Sequence, residues 1–207
     1  MNTDRRAFLK QCTALAAGGV ASAARPHLAA ASASGGHGPV PADPMGVLVD
    51  LSACVGCRLC EYACRKNAGI ETGSLESYDD QTVMKHPRRP APGDFTVVNM
   101  FSPKTAAADK PVYAKINCMH CNYSACVSAC IVGALEKQEN GAVTYDAWKC
   151  IGCRYCMMAC PYGARSFVHE PVTDQKPEVP RGKGCVESCT MCVHRIDHDR
   201  IPACVEA

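Results

Sequence analysis

Cys150-Ile-Gly-Cys153-Arg-Tyr-Cys156-Met-Met-Ala-Cys160-Pro161 is the stretch that decides how this chain folds. Its four cysteines stand at C-x2-C-x2-C-x3-C with a proline directly after. In that spacing three thiolates grip one [4Fe-4S] cube and the fourth ligates a neighbouring cube. Two residues between ligands let a tight loop wrap a cube so that three sulfurs reach three iron corners, and Gly152 lets the loop curl closely. Backbone N–H groups turned inward by such a loop can hydrogen-bond the anionic sulfurs. The spacing predicts a short helix from Met157 to Cys160, stopped by Pro161, that carries the fourth thiolate away from the first cube. Four cysteines at i, i+3, i+6 and i+10 pair poorly as disulfides. Zinc would favour two pairs with a longer loop between them.

Composition agrees with a fold built on sulfur. Seventeen cysteines in 207 residues, about 8%, approach the level at which cysteine rather than hydrophobic burial decides a structure. Aromatic residues are only 6%, so the conventional core is thin and metal clusters are its expected substitute. The formal charge of +2 ignores cluster cores, each of which carries roughly −2 with its four thiolates when oxidised. Basic residues are scattered, with no run beyond Arg88-Arg89, so nothing points to nucleic acid. There is no C-x2-C-H, so covalent haem is not expected. No catalytic nucleophile, acid–base pair or substrate pocket is indicated.

The N-terminus reads as an export address. Arg5-Arg6-Ala7-Phe8-Leu9-Lys10 is a twin-arginine signal, followed by a weakly apolar segment from Cys12 to Ala24, with cleavage sites after Ala23 or Ala33. That route carries folded cargo, and clusters are inserted in the cytoplasm, so signal and cysteine motifs support each other. Cys12 lies inside the signal and is excluded from the site. Residues 34–44 read as a flexible leader.

Working outward, Cys54, Cys57, Cys60 and Cys64 repeat the deciding spacing, with Gly56 matching Gly152 and Arg58 matching Arg154. Internal duplication is the natural inference. A short strand, Val47 to Asp50, is expected to lead into this group. Residues 65–111 form a cysteine-free insertion that contacts a partner, caps a cluster or is a solvated loop. Strands are expected at Phe95 to Phe101 and Val112 to Ile116. Cys118, Cys121, Cys126 and Cys130 follow at C-x2-C-x4-C-x3-C, with Ile131 where the proline would stand. His120, between two ligands, reads as a hydrogen-bonding neighbour or an exposed residue rather than a ligand. Asn140-Gly141 is a hairpin turn between Ala134 to Lys137 and Ala142 to Asp146. A further strand is expected at Arg165 to Val168.

This hairpin resembles the connection between the two cluster loops of bacterial ferredoxins. The resemblance implies one two-cube module with reciprocal exchange: Cys118, Cys121 and Cys126 with Cys160, and Cys150, Cys153 and Cys156 with Cys130. Near the C-terminus stand Cys185, Cys189, Cys192 and Cys204. The C-x3-C-x2-C of the first three matches the radical S-adenosylmethionine spacing, but those enzymes need a barrel after the motif and only fifteen residues remain after Cys192. Read instead as Cys189-x2-Cys192-x11-Cys204, with Ser188 to Asp197 and Ile201 to Ala207 around it, the segment resembles the last motif of four-cluster iron–sulfur subunits of respiratory oxidoreductases. That family includes the electron-transfer subunits of polysulfide and dimethyl sulfoxide reductases, formate dehydrogenases, and the periplasmic subunit of a type-2 nickel–iron hydrogenase. The twin-arginine signal makes the hydrogenase-2 type the nearest resemblance, which extends from about Met45 to Ala207.

The resemblance implies that Cys54, Cys57 and Cys60 hold one cube, and that Cys189, Cys192 and Cys204 hold another with Cys64. Four cubes need sixteen thiolates; seventeen cysteines less Cys12 and Cys185 leave fifteen. The sixteenth would stand at position 208, so the sequence is read as a fragment. Otherwise one cube has Cys185 or a nonprotein ligand, or is a three-iron cluster. The expected fold is α+β, two bacterial ferredoxin-like two-cluster modules with short strands, short helices and long loops. Residues 45–64 and 169–207 would form the first module and 112–168 the second. The expected function is electron relay between a catalytic subunit, a hydrogenase or molybdopterin enzyme, and an integral membrane quinone-reactive subunit, in the periplasm and peripherally membrane-associated through these partners. A stand-alone enzyme working at an incompletely ligated cube, or a thiolate-rich storage protein, are the other classes.

Overall fold

A computed structural model describes residues 40–102, 110–173 and 176–207. The twin-arginine segment, Cys12 and most of the leader lie outside the described residues.

The cysteine loops keep every regular element short. Helix α1 is Leu59–Asn67, two 3-10 turns follow at Leu75–Tyr78 and Gln81–Met84, and strands β1 Val97–Phe101 and β2 Val112–Ile116 come next. Helix α2 Ala125–Ser128 precedes β3 Leu135–Lys137 and β4 Val143–Tyr145. After these come α3 Tyr155–Ala159, β5 Ser166–Phe167, β6 Val186–Glu187, α4 Val193–Ile196 and α5 Ala203–Glu206. Among the described residues the strands pair as antiparallel two-stranded ribbons: β1 with β2, β3 with β4, β5 with β6. The class is therefore mixed, with small helices and short antiparallel strands, as a ferredoxin-like protein requires.

The β3–β4 hairpin forms where Asn140-Gly141 places it, with Leu135 opposite Tyr145. Gly141 has φ 90°, which a side chain would strain, and the Asn140 carboxamide oxygen accepts from Ala142 N at 3.0 Å. β1 and β2 also lie where the alternation put them, in register from Val97 opposite Ile116 to Phe101 opposite Val112.

Two local expectations are corrected, and one strand was not expected. Val47 to Asp50 is not a strand; it finds no partner, and the Asp50 carboxylate accepts from Ser52 N at 2.8 Å and Ser52 Oγ at 2.6 Å, bending the chain into a turn. The helix expected from Met157 to Cys160 is Tyr155–Ala159 instead. It starts early because Arg154, in the left-handed region at φ 64°, reverses the chain directly after Cys153, and Cys160 is already extended at ψ 111°. Strand β6 had no sequence signal: it is two residues long and exists only because Ser166 and Phe167 pair with it.

Among the described residues, buried apolar side chains form two small clusters, both including cysteine. One is Cys64, Ala68, Phe95 and Val179. The other is Leu135, Cys156 and Val186, with Cys126, Cys130 and Cys150 packed against it. The described part of the insertion is not simply a solvated loop: Met84 and Tyr78 are buried, and the Glu61 carboxylate on α1 accepts from Arg58, Arg88 and the Val98 N–H. It therefore folds back on the helix that carries Cys60 and Cys64. Among the described residues no helix is long and apolar enough to cross a membrane.

Candidate metal centres

The duplicated motif has one local geometry in both copies. Gly56 and Gly152 have φ 73° and 67°, and Arg58 and Arg154 have φ 62° and 64°. A glycine and then an arginine in the left-handed region curl the backbone around the first two cysteines and launch the helix bearing the third. The arginines are held there by rings: Arg58 lies 5.0 Å from the Tyr78 ring centre and Arg154 3.9 Å from that of Phe167. Gly152 also meets a packing demand, since a Cβ there would lie 2.2 Å from Gly184 O.

Tertiary packing then brings cysteines together from distant segments. Cys130, Cys150, Cys153 and Cys156 line one small cavity beside Leu135 and Val186. Burial pushes the Cys156 thiol up to about 11; Arg165 opposes this, while Cys126, Cys130 and Cys150 add to it. Burial also raises the Cys118 and Cys121 thiols, and both feel the charges of Cys126 and Cys160. Cys64 is raised by burial first and then by Cys189, Cys192 and Cys204, with the nearby Thr96 side chain opposing. Cys60 is pushed up to about 11 by burial, Lys115 opposing and Glu61, Cys204 and Cys57 adding. Cys189 reaches about 12 from burial, relieved by the Met191 N–H. Bare thiols so placed resist ionising together, which is the problem that a positively charged iron core solves.

Cys54 and Cys57 stand at the surface end of the first group, half-buried and exposed respectively. Cys185 does not join them. Its thiol donates to Ala147 O at 3.1 Å and lies near Cys150, so it clamps the loop before Cys150.

Several N–H groups point at sulfur. Ala134 N lies 3.2 Å from Cys130 Sγ, Met191 N 3.3 Å from Cys189 Sγ and Val186 N 3.5 Å from Cys150 Sγ. Asn67 Nδ2 is 3.6 Å from Cys192 Sγ. Two residues stand out. His120 is buried, and its Nδ1 accepts from Val143 N at 2.8 Å, which puts the ring proton on Nε2, a buried atom with no protein partner. Burial holds this imidazole down to about 3, with Arg165, Lys137 and Lys115 adding to the effect. Arg165 is only 3% exposed, donates from Nη2 to Cys126 Sγ at 3.5 Å and leaves Nη1 buried without a partner. The sequence offers one signal for Arg165, a charged residue opening the strand expected at Arg165 to Val168.

Comparison with known proteins points the same way. A 4Fe-4S dicluster domain matches residues 110–207. A subunit of the tetrathionate reductase of Salmonella typhimurium is 31% identical over 211 residues, covering 100% of this chain and 71% of that one. A subunit of the anaerobic dimethyl sulfoxide reductase of Escherichia coli is 36% identical over 164 residues, 78% of this chain and 68% of that one. The protein belongs to this family of oxidoreductase iron–sulfur subunits. Another family member, Hdr-like menaquinol oxidoreductase iron–sulfur subunit 1 of Archaeoglobus fulgidus, is 37% identical over 159 residues, 72% of this chain and 55% of that one. The chain spans about half the length of some family members it matches and about two thirds of others.

The residues fit the family's cofactor. The donors are uniformly soft thiolates, which select iron–sulfur clusters. Buried donors left over at His120 Nε2 and Arg165 Nη1 stand beside the same cysteine groups, where an inorganic sulfide would satisfy them.

Proposed function

We propose that the chain is the electron-transfer subunit of a respiratory oxidoreductase and carries four [4Fe-4S] clusters in two ferredoxin-like modules. Cys118, Cys121 and Cys126 with Cys160, and Cys150, Cys153 and Cys156 with Cys130, are the ligand sets of the second module. Cys189, Cys192 and Cys204 with Cys64 form one set of the first module, and Cys54, Cys57 and Cys60 belong to the other. The observation that supports this reading is the gathering of cysteines from distant segments. Cys130 lines the cavity of Cys150, Cys153 and Cys156, and Cys64 feels Cys189, Cys192 and Cys204 from across the chain.

Each cluster, when bound, supplies one-electron redox chemistry. The chain's part is to fix the sites in a row and to shield the middle of it. Asn117 Nδ2 lies 4.0 Å from Cys189 Sγ, and Cys118, Cys189 and Cys204 line one cavity, so the two modules meet there. The ends of the row are then the Cys54 and Cys150 groups, and each presents an exposed cysteine, Cys57 and Cys153. Apolar side chains surround both: Val55 and Leu59 at one end, Trp148, Ile151, Tyr155 and Met158 at the other. Exposed apolar surface of this kind is what partner subunits cover. A catalytic subunit, hydrogenase or molybdopterin enzyme, fits one end and a quinone-reactive membrane subunit the other. The twin-arginine segment supports a periplasmic location.

Iron and acid-labile sulfide analysis of the protein purified anaerobically with its partners tests the reading. About sixteen of each per chain is expected. Cys130→Ser and Cys160→Ser are each expected to alter one, and a different, cluster signal in electron paramagnetic resonance. Zinc without sulfide, or identical spectra from the two variants, would refute it.

A further inference from the structure

The buried side chain that carries most beyond ligand assignment is Arg165. It directly precedes β5, is 3% exposed and, among the described residues, forms no ion pair with a carboxylate. Its Nη2 donates to Cys126 Sγ at 3.5 Å, and Nη1 is buried with no partner. Its charge is felt at Cys118 and Cys126 of one ligand set and at Cys156 of the other. An unpaired buried guanidinium is strongly unfavourable, and a protein keeps one only where something absent from its own side chains balances it. Arg165 thus stands between two sets of thiolates with one nitrogen already on sulfur and the second unused.

We propose that Arg165 is a fixed counterion shared by the two cluster sites of the second module, and that its charge raises the reduction potential of both. The inference rests on the ligand sets given under Proposed function. One-electron reduction adds a negative charge to a cluster that is already anionic with its four thiolates, and a cation held in a water-poor gap favours the more negative state. The guanidinium cannot lose its proton, so this bias is constant with pH, unlike that of a histidine or lysine. Nη1 is free to donate a second hydrogen bond to sulfur, which acts in the same direction.

The test is an anaerobic redox titration of the complex, followed by electron paramagnetic resonance, comparing wild type with Arg165→Met and Arg165→Lys. Arg165→Met keeps much of the volume and removes the charge. It is expected to lower the potentials of two clusters by at least a tenfold change in the reduction equilibrium, about 59 mV for one electron, leaving the others in place. Arg165→Lys is expected to stay within about threefold of wild type. A fully loaded Arg165→Met with wild-type potentials overturns the proposal. Should Arg165→Met not load iron, Arg165→Lys decides: loading with near wild-type potentials supports the charge, and any other result overturns it in favour of packing. Wild-type protein without clusters would instead refute the reading beneath, so the two failures are distinguishable.

Discussion

Glu61 joins the first cysteine group to the insertion, and replacing it by glutamine is the sharpest test of how that group is held. Its carboxylate is 2% exposed and takes Arg58 Nη2 at 3.0 Å, Arg58 Nε at 3.1 Å, Val98 N at 2.5 Å, and Arg88. Glu61→Gln keeps the shape and one acceptor oxygen, but turns an amide donor toward guanidinium donors and leaves Arg58 buried without its counter-charge. Breaking a buried ion pair from one side costs about 3–5 kcal/mol. Arg88 keeps 26% of its side-chain exposure, so water compensates its share and the lower end, about 3 kcal/mol, applies. For a protein of this size that lowers the midpoint of thermal unfolding by about 6–12 °C. The assay is loss of the visible cluster absorbance on heating at one fixed scan rate, because cluster proteins unfold irreversibly. Adding Arg58→Met to Glu61→Gln removes the stranded charge and is expected to recover about half of the loss. A drop below about 2 °C, or no recovery in the double variant, would refute the claim that this carboxylate anchors the insertion.

Gly152→Ala is expected to prevent loading of the third cysteine group, because its Cβ would sit 2.2 Å from Gly184 O at φ 67°. Gly133→Ala, at φ 61° with open space around the new Cβ, should load fully and lose only about 1–2 kcal/mol, and iron analysis separates the two. Cys185→Ser is predicted to keep the wild-type iron count, since the serine hydroxyl can still donate to Ala147 O; loss of about one cluster would show that Cys185 is a ligand after all. Stripping iron with a chelator under an oxidant should unfold the chain cooperatively, seen by circular dichroism, because both apolar clusters are built partly from cysteine. Trp148→Ala is expected to leave thermal stability within about 0.5 kcal/mol while weakening co-purification with a partner, as this ring is 92% exposed.

The turns of the cysteine loops were legible because their geometry is local. The matched Gly56-Cys57-Arg58 and Gly152-Cys153-Arg154 of the sequence reappear as matched left-handed turns. The Asn140-Gly141 hairpin was legible for the same reason. Val47 to Asp50 misled because an apolar run says nothing about whether a pairing partner exists.

The sequence alone therefore determined which cysteines share a loop, where the glycine-bearing cysteine loops and the Asn140-Gly141 hairpin turn, and that the core is built on cysteine. Tertiary structure decided what stands between the loops: Glu61 binding the insertion to α1, β6 clamping Cys150, Cys185 beside Ala147, and Arg165 unpaired between two thiolate sets. The reason is the range of the forces involved. Thiolate spacing is set by bond lengths over a few residues, whereas the worth of a buried charge depends on every group that burial brings near it, and those groups come from all along the chain.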